Sequence, residues 1–177
     1  MTHPDVPRRP LWSVLMVCTG NICRSPTADG LLRHALHEAG LQDLVLVDSA
    51  GTHGYHVGEP PDPRSVATAR QYGVDLAPLR ARKVAADDFT RFDRILAMDQ
   101  GHLQILQKLC PQPEHSRLKL YLDYAPRFGR EVPDPYYGGP EGFEAVWQMC
   151  MAATAALMTE IRNRPGIANE SQQVSGK

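Results

Sequence analysis

Apolar and polar positions along the chain alternate between two rhythms. Val14-Leu15-Met16-Val17 is an uninterrupted apolar run, the pattern of a parallel strand buried on both faces. After it, Ala28, Leu31, Leu32, Ala35, Leu36 and Ala39 recur at helical spacing and form one apolar stripe. Ser25 predicts the N-cap of that helix, Pro26 its first position and Gly40 its C-terminal stop. Val45-Leu46-Val47 predicts a second strand ending at Asp48-Ser49-Ala50-Gly51, and a helix follows from Asp62-Pro63 to near Gly73. A third strand is predicted over Arg94–Met98, then a helix capped by Asp99 and carrying Leu103, Leu106 and Cys110. A fourth strand falls within Leu118–Leu122. Phe143, Val146, Trp147, Cys150, Met151, Thr154, Leu157, Met158 and Ile161 hold one face of a final helix for about five turns. Strands alternating with helices predict an α/β sandwich around a parallel sheet, with a ligand site at the carboxyl ends of the strands.

Composition fits this pattern. The 177 residues are 42% hydrophobic and 22% charged, which excludes a disordered chain and suits one domain. The boundaries read as a flexible leader over 1–11, a single domain over 12–164, and a disordered polar tail over 165–177. The polar, proline-rich start and the short apolar run of 11–18 argue against a signal peptide or a membrane span. A formal net charge of -1 and a pI near 6.6 give no global attraction to nucleic acid or to a membrane surface. Cys18, Cys23, Cys110 and Cys150 are too few and too irregular for a disulfide framework. They suit a reducing compartment, so a cytoplasmic protein is expected. A monomer with at most weak self-association completes that expectation.

The chemistry concentrates where the first strand ends. Cys18-Thr19-Gly20-Asn21-Ile22-Cys23-Arg24-Ser25 links a strand directly to a helix. A helix N-terminus presents unpaired N–H groups and the positive end of the dipole, which favour an anion. Gly20 and Asn21 tolerate the left-handed backbone such a cradle needs. Arg24 adds a planar fork suited to two phosphate oxygens. The same positive field favours the thiolate of Cys18, and the Ser25 hydroxyl is placed to donate to its sulfur. The plain alternative for Cys18 is a small buried thiol at a strand end. Asp134, between Pro133 and Pro135 and beside Tyr136 and Tyr137, is the candidate general acid. Read plainly it is a turn aspartate, and spacing alone does not bring it to Cys18. The seven histidines complete no metal-ligand set; His34 and His37 share a helix face, and His53 and His56 share a loop.

Val17–Pro26, Asp48-Ser49-Ala50-Gly51-Thr52 and Asp134-Pro135-Tyr136-Tyr137-Gly138-Gly139 resemble the low-molecular-weight protein tyrosine phosphatases. Weaker matches are Gly58, Asp62-Pro63-Arg64, Ala81-Arg82, Phe92-Asp93 and Ala97-Met98-Asp99, all in family order over roughly residues 12 to 163. The resemblance implies a three-layer, flavodoxin-like sandwich with a four-stranded parallel sheet. It implies a phosphocysteine on Cys18, phosphate bound by Arg24 and the amides of 19–25, and Asp134 acting as acid and then as base. No cofactor or metal is implied, and the substrates are phosphotyrosine proteins. Tyr55 and Tyr136 would line an aromatic slot, with His56 and Tyr137 at its rim; read plainly, each tyrosine is an ordinary surface aromatic. Ile22 resembles the tyrosine-specific branch, since relatives acting on phosphoarginine carry threonine there. The resemblance also implies a reversible Cys18–Cys23 disulfide; otherwise Cys23 is a packing residue. Cys110 and Cys150 read as core.

Two positions depart from the family pattern. Leu79 stands where many members carry a histidine linked to the loop asparagine and to Ser49, which leaves Asn21 and Ser49 to pair directly. Asp29-Gly30 replaces the usual glutamate after Ala28, with little catalytic effect expected. The competing readings are a thioredoxin-coupled arsenate reductase, which needs further relay cysteines, and a non-catalytic phosphotyrosine-binding module.

Overall fold

The computed structural model describes residues 9–174, with side chains to residue 170. Four parallel strands form one sheet: β1 (Trp12–Cys18), β2 (Val45–Gly51), β3 (Arg94–Ala97) and β4 (Leu118–Leu120), in the order β2-β1-β3-β4. The helices are α1 (Arg24–Glu38), α2 (Pro63–Gln71), α3 (Asp88–Arg91), α4 (Gln100–Leu109), α5 (Pro140–Arg162) and α6 (Pro165–Val174). β1 lies inside the sheet and all seven of its residues are buried. Its side chains alternate between two cores, as the strand period requires. Val14, Met16 and Cys18 join the cluster containing residues of α1 and α5. Leu15 and Val17 join Phe89, Phe92, Leu106 and Cys110 on the opposite face. This is the expected three-layer α/β sandwich.

Register decides where chemistry can gather. Cys18 pairs with Gly51 and Val17 with Ala97, so β1, β2 and β3 end level with one another. The segments leaving those ends, 19–23, 52–62 and 98–99, therefore meet at one edge of the sheet, the usual ligand position in an open α/β fold.

Several elements differ in detail from the sequence expectation. Ser25 is not the N-cap of α1; Cys23 holds that place with no side-chain cap. The Ser25 hydroxyl is committed to Cys18 and Asn21 instead, at 3.0 and 2.8 Å. Gly40 does stop α1 in a left-handed conformation, φ +69°. β2 does end at Gly51, within the predicted stretch, its polar end pairing with the buried end of β1. Met151, expected on the inner face of α5, is 43% exposed, and Ala153 packs inside. Cys110 and Cys150 are buried, as expected.

The tail shows the largest difference. It is helical through Val174, with Pro165 at the first turn. Ile167 is 1% exposed and packs in the cluster containing Trp12 and Ile161. One apolar residue docks a segment whose polar composition pointed to disorder. The Arg164 guanidinium lies 4.6 Å from the Trp12 ring centroid at the same junction. Of the expected leader, residues 1–8 lie outside the described residues. Leu11 is tied to the sheet through its N–H to the Leu44 carbonyl at 2.8 Å. Among the described residues no helix is long and apolar enough to cross a membrane.

Candidate active site

The loop between β1 and α1 is held from outside by its carbonyls. Thr52 N–H donates to Cys18 O, His53 N–H to Thr19 O, and Asp62 N–H to Ile22 O, at 2.8–3.0 Å. No protein acceptor takes the N–H groups of residues 19–23 among the described residues. Outward-bonded carbonyls and unused amides make an anion cradle. The close approach of the 52–53 segment needs Gly51: a Cβ there would sit 2.6 Å from Thr19 O and 2.8 Å from His53 O.

Asn21 is the one non-glycine residue at positive φ, +58°, among the described residues. Its amide pins that conformation from both ends: Oδ1 accepts from Arg82 N–H at 3.0 Å, and Nδ2 donates to Ser25 Oγ at 2.8 Å. The Arg82 side chain is itself clamped between Asp48 and Asp88. Ser25 Oγ lies 3.0 Å from Cys18 Sγ. Cys18 is 3% exposed, so its sulfur is reachable only through the cleft.

Arg24 is 4% exposed and its guanidinium is fixed on one edge. Nη1 donates to Asp99 Oδ2 at 2.9 Å and to Val132 O at 3.2 Å. Nη2 donates to Thr19 Oγ1 at 3.4 Å and lies 3.6 Å from Asp134 Oδ2. The fold thus brings Asp134, 110 residues downstream of Arg24, to the cradle. The Asp134 side chain is 47% exposed, and its Oδ1 accepts from Tyr136 N–H at 3.1 Å.

A cleft of about 230 Å³ opens above the loop. Every candidate named from the sequence lines it except Asn21 and Ser25, which lie buried beneath. Tyr55 is 70% exposed and stacks on His53, with centroids 5.0 Å apart. Tyr136 and Tyr137 meet edge to face at 4.9 Å. His56 packs over Gly20, where a Cβ would come within 2.9 Å of its ring, and its Nδ1 meets Glu59 Oε2 at 2.8 Å.

A family model described as low molecular weight phosphotyrosine protein phosphatase matches residues 13–165. The chain belongs to this family. A low molecular weight protein-tyrosine-phosphatase of Streptomyces coelicolor is 42% identical over 159 residues, covering 86% of this chain and 95% of that one. The low molecular weight phosphotyrosine protein phosphatase of Sus scrofa is 38% identical over 152 residues, covering 85% and 96%. The crystal structure of an Entamoeba histolytica protein tyrosine phosphatase with Hepes in the active site superposes with a TM-score of 0.82 at 34% identity, over 85% of this chain and 97% of that one.

As a member of the low-molecular-weight phosphatases, the chain solves the missing histidine in its own way. Asn21 and Ser49 do not pair. Asn21 takes the backbone N–H of Arg82, and Ser49 Oγ donates to Asp29 Oδ2 at 2.8 Å. Leu79 packs against the core. Asp29, where little catalytic effect is expected, is fully buried and anchors both Ser49 and Arg33. Burial pushes the Asp29 carboxyl up from its ordinary value, against Arg33 and Ser49, which pull it down. Cys23 is likewise pushed up to about 12, chiefly by burial and then by Asp62 and Cys18. It stays a thiol at neutral pH.

Sequence reasoning did not place Asp99 or His102 in this site. Asp99 was legible as a helix cap and within a weaker family match, and a cap it is: Oδ1 accepts from His102 N–H at 2.9 Å. Its position just beyond the end of β3, beside β1, was the available signal.

Proposed function

We propose that the protein hydrolyses phosphotyrosine in phosphoproteins, and small aryl phosphates, through a phosphocysteine on Cys18. The observation that carries this reading is the convergence of Cys18, Arg24 and Asp134 on one cleft walled by Tyr55 and Tyr136. The loop amides and the free edge of Arg24 hold three phosphate oxygens and neutralise charge as the phosphoryl group transfers. The Cys18 thiolate attacks phosphorus in line with the aryl oxygen. Ser25 oxygen accepts from Asn21, so its own proton points to the sulfur and steadies the thiolate. Before substrate binds, Asp134 faces Arg24. An arriving phosphate dianion takes over Arg24 and disfavours a second negative charge, so Asp134 binds the proton it then gives to the leaving aryl oxygen. In the second half Asp134 takes a proton from water, the water oxygen bonds to phosphorus, and the Cys18–P bond breaks to thiolate and inorganic phosphate.

Ile22 and the tyrosine walls support an aryl over an alkylguanidinium phosphate. The slot accommodates a ring by stacking. Cys23, held as a thiol, would condense with a Cys18 sulfenic acid formed by peroxide, giving a disulfide and water. We place the enzyme in the cytoplasm as a monomer. A thiol relay of the arsenate reductase kind lacks support, because neither Cys110 nor Cys150 lines the cleft.

Hydrolysis of an aryl phosphate in the presence of a chelator tests the reading. Cys18→Ser should abolish turnover and Asp134→Ala should lower kcat by about 10²-fold or more. Undiminished turnover by Cys18→Ser overturns it.

A further inference from the structure

His102 lies in the first turn of α4 and is 4% exposed. Its Nε2 sits 2.7 Å from Thr19 Oγ1. Its Nδ1 lies 3.1 Å from Asp99 Oδ1, without an aligned hydrogen bond. The other oxygen of Asp99 holds Arg24. Thr19, His102, Asp99 and Arg24 thus close a ring behind the phosphate cradle.

The donor inventory fixes one bond of that ring, and the charge facing Nδ1 decides the rest. Arg24 has no acceptor, so Nη2 donates and Thr19 Oγ1 accepts. A bare Nδ1 would set its lone pair against a carboxylate oxygen at 3.1 Å. The imidazole proton therefore belongs on Nδ1, where Asp99 attracts it. The ring is neutral: burial outweighs Asp99 and Asp134, which favour its charge, while Arg24 and His53 oppose it, and it titrates at about 4. Nε2 is then bare, and the single Thr19 proton goes to it.

We propose that His102 is a positioning residue of the phosphate site, whose bare Nε2 takes the Thr19 hydroxyl proton and so turns the Thr19 lone pairs to Arg24 Nη2. The consequence concerns the edge of the guanidinium that faces substrate. Among the described residues Nη1 has two fixed acceptors, but Nη2 has only Thr19 and the Asp134 carboxylate. When phosphate displaces Asp134, Thr19 is the strut that remains, and its direction is set by His102. The role assigned to Arg24 rests on the phosphatase reading; the proton arrangement does not.

Two measurements on the full chain test this. Long-range 1H–15N spectra of the phosphate-free protein at pH 7 should show a neutral His102 protonated on Nδ1. A ring protonated on Nε2, or on both nitrogens, overturns the proposal. Calorimetric titration with inorganic phosphate then compares wild type with His102→Ala, Thr19→Val, the double variant and His102→Gln. Phosphate affinity should fall about 3–10-fold in each of the first two, the scale of one lost hydrogen bond, with no further loss in the double variant. His102→Gln should recover most of it, because its amide oxygen can accept near the position of Nε2. Additive losses, or wild-type affinity in a folded His102→Ala, overturn the proposal. Should His102→Ala fail to fold, the glutamine variant against Thr19→Val and the spectra decide. A wild type that binds phosphate with this pattern and yet turns over no aryl phosphate would count against the phosphatase reading alone.

Discussion

The Ser25 hydroxyl has one proton and sits between Asn21 Nδ2 at 2.8 Å and Cys18 Sγ at 3.0 Å. The Asn21 amide cannot be turned round, since its oxygen must face Arg82 N–H. Ser25 therefore accepts on one side and donates on the other, and its donation matters whenever sulfur carries negative charge. In the proposed mechanism sulfur does so twice: before attack, and again when it leaves phosphorus. Ser25→Ala removes a hydrogen bond to a charged group, which slows each of these steps by about 10–100-fold. Breakdown of the phosphocysteine lacks the help of an aryl leaving group and becomes limiting. Rapid mixing with an aryl phosphate should show a burst of aryl alcohol followed by slow turnover. A slow, burst-free reaction would place the loss in the first step only.

At the scale of elements, α1 joins the site to the core, and Gly30 governs how closely it packs. A Cβ at residue 30 would lie 2.1 Å from Leu76 Cδ2, and Leu76 is fully buried. Gly30→Ala gains about 1 kcal/mol of helix propensity but overpacks at about 1–3 kcal/mol. We expect a net loss of about 1 kcal/mol in denaturant midpoint measurements, with turnover by the folded protein unchanged, because residue 30 does not line the cleft. A more stable variant would mean that Leu76 moves freely. Elements with strong periodicity were legible before any coordinates: β1, α1, β3 and α5 lie where the apolar pattern placed them. The cleft lining was legible too, because six of its residues fall within the stretch 18–25. What the pattern missed depends on distant partners. Ser25 is the exception: its partners Cys18 and Asn21 are local, and the sequence placed it beside Cys18 while misreading it as a cap. Asn21 could not be assigned to Arg82, 61 residues away. His102 read as an unremarkable histidine because only the fold brings α4 under Thr19. The helix α6 escaped notice since, among its described side chains, only Ile167 is buried.

For the molecule as a whole, net charge explains little: at -1 the chain offers a dianion no general attraction, so in the proposed reading affinity is confined to one loop and Arg24. Stability on acidification is likewise set by a few buried groups. His102 is held neutral, pushed down to about 4 by burial from an ordinary value of 6.5. A base whose folded value is depressed contributes stability above 6.5, lost as pH falls toward 4, when the unfolded chain binds a proton that the fold refuses. That loss amounts to up to roughly 3 kcal/mol, from 1.36 kcal/mol per pH unit over the window. Asp29 works in the opposite sense. Its folded value is raised by burial, so its contribution is fully present below the ordinary carboxylate range and is lost as pH rises through the folded value. Urea unfolding between pH 4 and 7 separates the two. His102→Gln should flatten the acid loss of stability, while Asp29→Asn should steepen it by removing the compensating group. If both variants follow the wild-type slope, buried titration at these positions does not control acid stability. If Asp29→Asn flattens the slope instead, the Arg33 and Ser49 contacts outweigh burial and Asp29 is held below its ordinary value.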